Sequence, residues 1–214
     1  MRTIRHQLLL LLLLTSVLFG CSQPEALLPY IDTRVGTAAS TMQTAGRFGK
    51  GSEEYGQVIP AVLEPHGMNF WTPRTNKMGD GWQYTYTSNR IYGFEQTHQP
   101  SPWINDYGQF AIMPVTGKPN IDEKERASWF SHKSETAMPH YYKVYLADYD
   151  VVTEITPTER AAMFRFTFPQ GESYVVVDAY DNGSYIKIIP EANRIIGYTT
   201  RNSGGVPDNF RNYF

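Results

Sequence analysis

Residues 91–108 read Ile-Tyr-Gly-Phe-Glu-Gln-Thr-His-Gln-Pro-Ser-Pro-Trp-Ile-Asn-Asp-Tyr-Gly. Aromatic rings alternate there with His98, Asn105, Asp106 and two glutamines. Sugars require that mixture, because their C–H faces stack on aromatic rings and their hydroxyls need planar donors and acceptors. Trp103 is the stacking candidate within the run. Trp82 and Trp71 precede it, so three of the four Trp fall between 71 and 103. Each reading has a plainer alternative. A packed loop can use such polar groups on its own backbone, a single Trp is more often a core ring, and His66 or His98 can be a buried, hydrogen-bonded imidazole.

Glycoside hydrolysis needs two carboxylates across the scissile bond. Glu53, Glu54, Glu64, Asp80, Glu95 and Asp106 are the candidates around this cluster, and nothing in their spacing selects a pair. Other chemistries lack their signatures. There is no Walker-type phosphate loop, no His-Glu-x-x-His, no cysteine cluster for zinc and no Gly-x-Ser-x-Gly elbow.

The elements that must hold the cluster begin after an export signal. Arg2 and Arg5, an apolar run over 8–14, and Leu18-Phe19-Gly20 before Cys21 read as a signal-peptide helix over 1–20. An apolar residue, a spacer and a small residue before a lone Cys resemble a bacterial lipobox. That resemblance implies cleavage before Cys21, lipid on its sulfur, and a membrane partner reached through that lipid. The protein is then an exported lipoprotein of the periplasm or the outer membrane and cell surface. An ordinary cleavage site with a spare thiol is the alternative. Cleavage leaves 194 residues with 17 Lys and Arg against 21 Asp and Glu, a net −4, since Arg2 and Arg5 go and no acid does. An acidic chain argues against a nucleic-acid partner. One Cys permits no internal disulfide, so stability must come from a core.

Residues 21–28 read as a tether and 29–214 as one domain. Aromatic residues make up 14% of the chain, with 17 Gly and 14 Pro, which favours short strands and loops over helices. Strands are expected at 109–115, 141–146, 151–156, 161–168, 174–178, 185–189 and 194–199. In 161–168, Met163 and Arg165 take one face and Phe164, Phe166 and Phe168 the other. Short alternating strands with regular turn signals indicate an all-β fold, an antiparallel β-sandwich. Residues 37–51 and 64–108 are expected as loops, the second long enough to be functional. Residues 210–214 look like the start of a further strand, so the domain is expected to be incomplete at its C-terminus.

Five stretches carry a resemblance to the N-terminal domain of glycoside hydrolase family 92, secreted bacterial α-mannosidases. They are Tyr-Ile-Asp-Thr-Arg-Val-Gly-Thr at 30–37; Pro65-His66-Gly67-Met68, with His66 where the family has Phe; Tyr92-Gly93-Phe94 through Thr97-His98, then Asp106-Tyr107-Gly108 and Met113-Pro114-Val115; Phe130-Ser131-His132, Glu135-Thr136-Ala137 and Tyr141-Tyr142-Lys143-Val144; and Glu154-Ile155-Thr156, Thr158 and Arg160-Ala161. Together they cover nearly all of 29–214. The resemblance implies a sandwich packed on a C-terminal α/α-barrel that carries the catalytic acid and base. It implies inverting, exo-acting hydrolysis of terminal α-mannosides, such as α-1,2-linked ones in N-glycans or mannans, assisted by calcium in the full enzyme. Neither catalytic residues nor calcium ligands are then expected in this chain. The cleft-facing group implied is His98, Trp103 and Asp106, with Trp82 next. Residues 97–103 depart from the Gly-rich stretch of many relatives, which bears on linkage preference. A stand-alone carbohydrate-binding module and an inactive fragment are the competing readings.

Overall fold

A computed structural model describes residues 26–38, 58–76, 83–97, 110–179, 183–200 and 207–214. The proposed signal-peptide helix and Cys21 lie outside the described residues. Two units are distinguished, Met1–Tyr30 and Ile31–Phe214. In the first, the described part is a 3₁₀ turn at Leu28–Tyr30. All described strands belong to the second.

Thirteen strands are described, all paired antiparallel. They are β1 (Phe70–Arg74), β2 (Arg90–Ile91), β3 (Gly93–Thr97), β4 (Phe110–Thr116), β5 (Ser128–Trp129), β6 (Thr136–Met138), β7 (Tyr141–Leu146), β8 (Val151–Pro157), β9 (Ala162–Thr167), β10 (Ser173–Ala179), β11 (Ser184–Ile189), β12 (Arg194–Thr199) and β13 (Asn212–Tyr213). Sheet order is β1-β3-β4-β10 in one four-stranded sheet and β6-β7-β8-β9 in the other, with smaller sheets β11-β12-β13 and β2-β5. This is the all-β antiparallel sandwich that the alternation indicates.

The second large sheet follows its sequence directly. Along β7, Tyr142, Val144 and Leu146 are buried while Lys143 and Tyr145 are exposed. Along β8, Val151, Thr153 and Ile155 turn inward. Ile155 pairs with Phe164 and Thr153 with Phe166, so the Phe face of β9 joins the same inner surface. Met163 and Arg165 face out, as expected from the alternation.

The first sheet meets this surface through aromatic rings. Trp71 packs edge-on against Phe164 at 4.7 Å and against Phe110 at 5.4 Å. Phe94 meets Tyr142 at 6.2 Å and Phe164 at 6.4 Å. Such pairs add about 0.5–1.5 kcal/mol each beyond the area they bury.

The expectation of one long loop over 64–108 is overturned, because β1, β2 and β3 lie within it. Pro73 disguised β1. Trp71 exchanges both backbone bonds with Val62, on the side away from β3. Pro73 has the same parity, so its missing N–H lies on that outer side, where proline is tolerated. Polar residues disguised β3. Cross-strand partners share a face, and the pairs Thr72↔Glu95, Glu95↔Ala111 and Ala111↔Asp178 put these four on the outer face. That face is buried too. Arg74 reaches Glu123 at 3.0 Å, and Arg126 pairs with Asp178, drawing residues 121–126 over it. Gly93 allows close approach there, since a Cβ would come within 3.2 Å of that of Ala111.

The strand expected over 210–214 is realised as β13, paired to β12 through Tyr198↔Tyr213 and Thr199↔Asn212. Phe214 then lies over Gly197 and stacks on Phe110 at 4.2 Å. Of the loop at 37–51, residues 39–51 lie outside the described residues.

Candidate functional site

His98, Trp103, Asp106 and Trp82 also lie outside the described residues, as do Glu53, Glu54 and Asp80. What the structure fixes is the frame around them. Residues 98–109 join β3 to β4, which pair through Phe94↔Ile112 and Glu95↔Ala111. Residues 77–82 are bracketed by Thr75, whose amide donates to the Gln83 carbonyl at 2.8 Å, and by Thr85, whose amide donates to Thr75 Oγ1 at 2.8 Å. The two brackets sit at opposite ends of the β1–β3 ladder. Thr97 pairs with Phe70, whereas Arg74, just before Thr75, pairs with Gly93. The four residue steps from Phe70 to Arg74 separate those ends by about 13 Å.

The other candidates are described. Trp71 is a core ring, 5% exposed, and does not face a sugar. Glu95 is 1% exposed and lies 4.0 Å from Arg74, inside the sheet–cover interface. Glu64 and His66 are exposed, so His66 is not the buried imidazole of the plainer reading. His66 has φ 63°, a left-handed conformation that Phe would adopt less readily than His. Its turn is closed by Gly67 N–H donating to Glu64 O at 2.8 Å. Met68 N–H, donating to Glu159 O at 2.7 Å, ties it to the β8–β9 turn.

Periodicity could not reveal the strongest polar constellation. The Glu135 carboxylate is fully buried. It accepts hydrogen bonds from Tyr142 Oη at 2.6 Å and Tyr84 Oη at 3.0 Å. His132 Nδ1 lies 2.7 Å away and Arg34 Nη1 3.4 Å. His132 Nε2 is 2.6 Å from the Tyr86 carbonyl, and its ring stacks on Tyr86 at 4.0 Å. Both ring nitrogens thus lie within hydrogen-bond distance of an oxygen. Arg34 is gripped in turn by Asp32, at 2.7 Å from Oδ2. Hydrogen bonding to Arg34 lowers the Asp32 carboxyl from its ordinary value. Burial, reinforced by the Glu135 charge, raises the Tyr84 and Tyr142 hydroxyls well above 10. A carboxylate so enclosed has no route to a substrate. Its chemistry is anchoring. The signal was present in the resembling stretches, since 30–37, 130–137 and 141–144 all converge on it.

A cleft of about 470 Å³ opens beside Gln96, at the end of β3 from which residue 98 departs. It is bounded by Asn69, Arg160 and the segment Phe210–Tyr213 around Arg211. Among the described residues, no three His, Cys, Asp or Glu side chains converge as a metal site.

Three comparisons place these features. Residues 30–214 match the family described as "Glycosyl hydrolase family 92 N-terminal domain". A family GH92 inverting mannosidase from Bacteroides thetaiotaomicron is 52% identical and superposes with a TM-score of 0.70, covering 74% of this chain and 21% of that one. A family GH92 α-mannosidase from the same organism is 28% identical with a TM-score of 0.63, covering 82% of this chain and 23% of that one. This chain therefore spans about a fifth of the length of these relatives. No curated protein sequence matches it.

The anchor at Glu135 is open to a direct test. Tyr142→Phe removes one donor from a buried charge and should lower unfolding free energy by about 1.5–3 kcal/mol. Tyr145→Phe, whose exposed hydroxyl meets Asp150 at 2.8 Å, should change it by less than about 0.5 kcal/mol. Urea unfolding of both variants measures this, and equal losses would remove Glu135 as the anchor.

Proposed function

Because this chain belongs to glycosyl hydrolase family 92, we propose that it forms the substrate-cleft domain of an exo-acting α-mannosidase. The match across 30–214, with 52% identity to an inverting mannosidase, carries this reading. The substrates are terminal α-mannosides, such as α-1,2-linked residues of N-glycans or mannans. Linkage preference follows the departure over 97–103.

Inversion needs an acid and a base roughly 6.5–9.5 Å apart with a water between them. Among the described residues, three carboxylates paired within the fold, Glu135 and Glu95 buried and Asp178 half-buried, do not suit either role. Glu135 is held by two tyrosines, His132 and Arg34, Asp178 is held by Arg126, and Glu95 lies against Arg74. By resemblance to the family, the acid and base are assigned to a C-terminal α/α-barrel. By resemblance to the family, calcium binds in the same catalytic domain, where a hard cation needs several convergent oxygens. In the cleft, Trp103 stacks on a sugar ring, His98 and Asp106 hydrogen-bond its hydroxyls or brace the loop, and Trp82 adds a further ring. Lipid on Cys21 holds the exported enzyme at a membrane.

Two measurements test the assignment. In the enzyme carrying its catalytic domain, Trp103→Ala should lower kcat/KM on α-mannosides roughly tenfold, about 1.4 kcal/mol of transition-state binding, without unfolding the sandwich. An unchanged kcat/KM takes Trp103 out of the cleft. Cys21→Ser should move the protein from the membrane pellet to the supernatant on fractionation, and continued sedimentation with membranes would refute the anchor.

A further inference from the structure

The turn that opens the described residues is apolar and uncovered. Leu27, Leu28 and Tyr30 are 69%, 50% and 74% exposed. The Tyr30 amide donates to Leu27 O at 3.0 Å, closing the 3₁₀ turn over Leu28–Tyr30, in which no residue is buried. Pro29 restricts the backbone inside it. A lone exposed leucine is ordinary, but three large apolar side chains within four positions of one turn form a patch.

Two observations select what covers it. The family match begins at residue 30, so Leu27 and Leu28 precede the domain that relatives share. The second is covalent. Leu27 lies six residues after Cys21, and six residues span at most about 22 Å even when fully extended. With lipid on the Cys21 sulfur, the turn stays within that distance of a bilayer surface whatever path the chain takes.

The composition indicates how the contact works. Residues 22–26 read Ser-Gln-Pro-Glu-Ala, with one acid and no Lys or Arg. Attraction of basic groups to anionic headgroups is therefore not the driving force, and apolar insertion is. Leucine side chains suit the acyl boundary. A tyrosine ring, apolar in its body and polar at its hydroxyl, suits the headgroup level.

We propose that residues 27–30 are a second membrane contact, an apolar turn that enters the headgroup–acyl boundary beside the lipid. The proposal rests on the Cys21 anchor of the preceding subsection and adds a second attachment to it. The free part of the tether then shrinks to residues 22–26, and the chain leaves the bilayer at Tyr30 rather than at Cys21.

The test uses the exported full chain reconstituted in phosphatidylcholine vesicles. Cys21 is the only cysteine and carries the lipid, so Leu27→Cys takes a thiol-reactive, polarity-sensitive dye at position 27 alone. The same dye on Cys21→Ser/Leu27→Cys, free in buffer, gives the water-exposed baseline. On vesicles the emission should shift to the blue, lose its quenching by iodide and be quenched by lipids carrying a nitroxide near the headgroup. Adding Leu28→Glu should return the emission to the baseline while the protein still sediments with the vesicles. Baseline emission from protein that sediments overturns the contact and leaves the anchor standing. Protection from iodide without quenching by the nitroxide lipids means that protein covers the turn, which also overturns it. A dye that stays inserted despite Leu28→Glu shows that the label drives insertion and removes the turn as its cause. Protein that does not sediment at all loses the anchor and the contact together.

Discussion

A carboxylate with no solvent exposure holds this domain in register. Burying an unpaired charge costs several kcal/mol, and removing one partner of a buried pair costs about 3–5 kcal/mol. Glu135 therefore requires all its donors at once. They come from distant parts of the chain: Arg34 from the N-terminal stretch, Tyr84 from the segment after residue 82, His132 from the turn before β6, and Tyr142 from β7. The same convergence brings in backbone. Thr33 N–H donates to Ala137 O at 3.2 Å, and Tyr86 N–H to Thr37 O at 3.1 Å. One charge thus fixes the start of β7 and the course of residues 31–38.

From β7 the constraint passes into the sandwich. Tyr142 binds Glu135 through its hydroxyl and packs its ring against Phe94 on the opposite sheet. Phe94 belongs to β3, the strand that leads into residue 98. The polar anchor, the aromatic seam and the start of the cluster segment are therefore mechanically continuous. The other face of the same sheet is locked by Arg74 and Arg126 under residues 121–126. A sheet clamped on both faces is a rigid support for loops at its ends, and precise placement is what sugar recognition demands of such loops.

Legibility in the sequence followed burial. Strands β7, β8 and β9 have one face inward and one outward, so alternation alone marks them, and β7 falls on the expected residues. Strands β1 and β3 are covered on both faces, and their outer faces carry Thr72, Arg74, Glu95 and Thr97, so they read as polar loop. Pro73 strengthened that misreading. Trp71 read as a possible sugar platform for the same reason: an aromatic ring in apparent loop sequence is in fact in the centre of the seam. The Glu135 constellation was invisible to periodicity because nothing local reveals which distant polar groups will meet. The resembling stretches did contain it, and their convergence gives a physical reason for that pattern. The turn at His66 and the block around Glu159 are likewise joined in space.

The central claim is that this chain shapes a mannoside cleft while the reacting carboxylates lie elsewhere. The most direct measurement is mannose release from an α-mannoside by purified protein comprising residues 21–214 alone. The expected result is no release above the blank, with turnover only when a carboxylate-bearing catalytic domain is supplied. Mannose release by the chain alone, abolished by substituting one of its own carboxylates, would contradict the account.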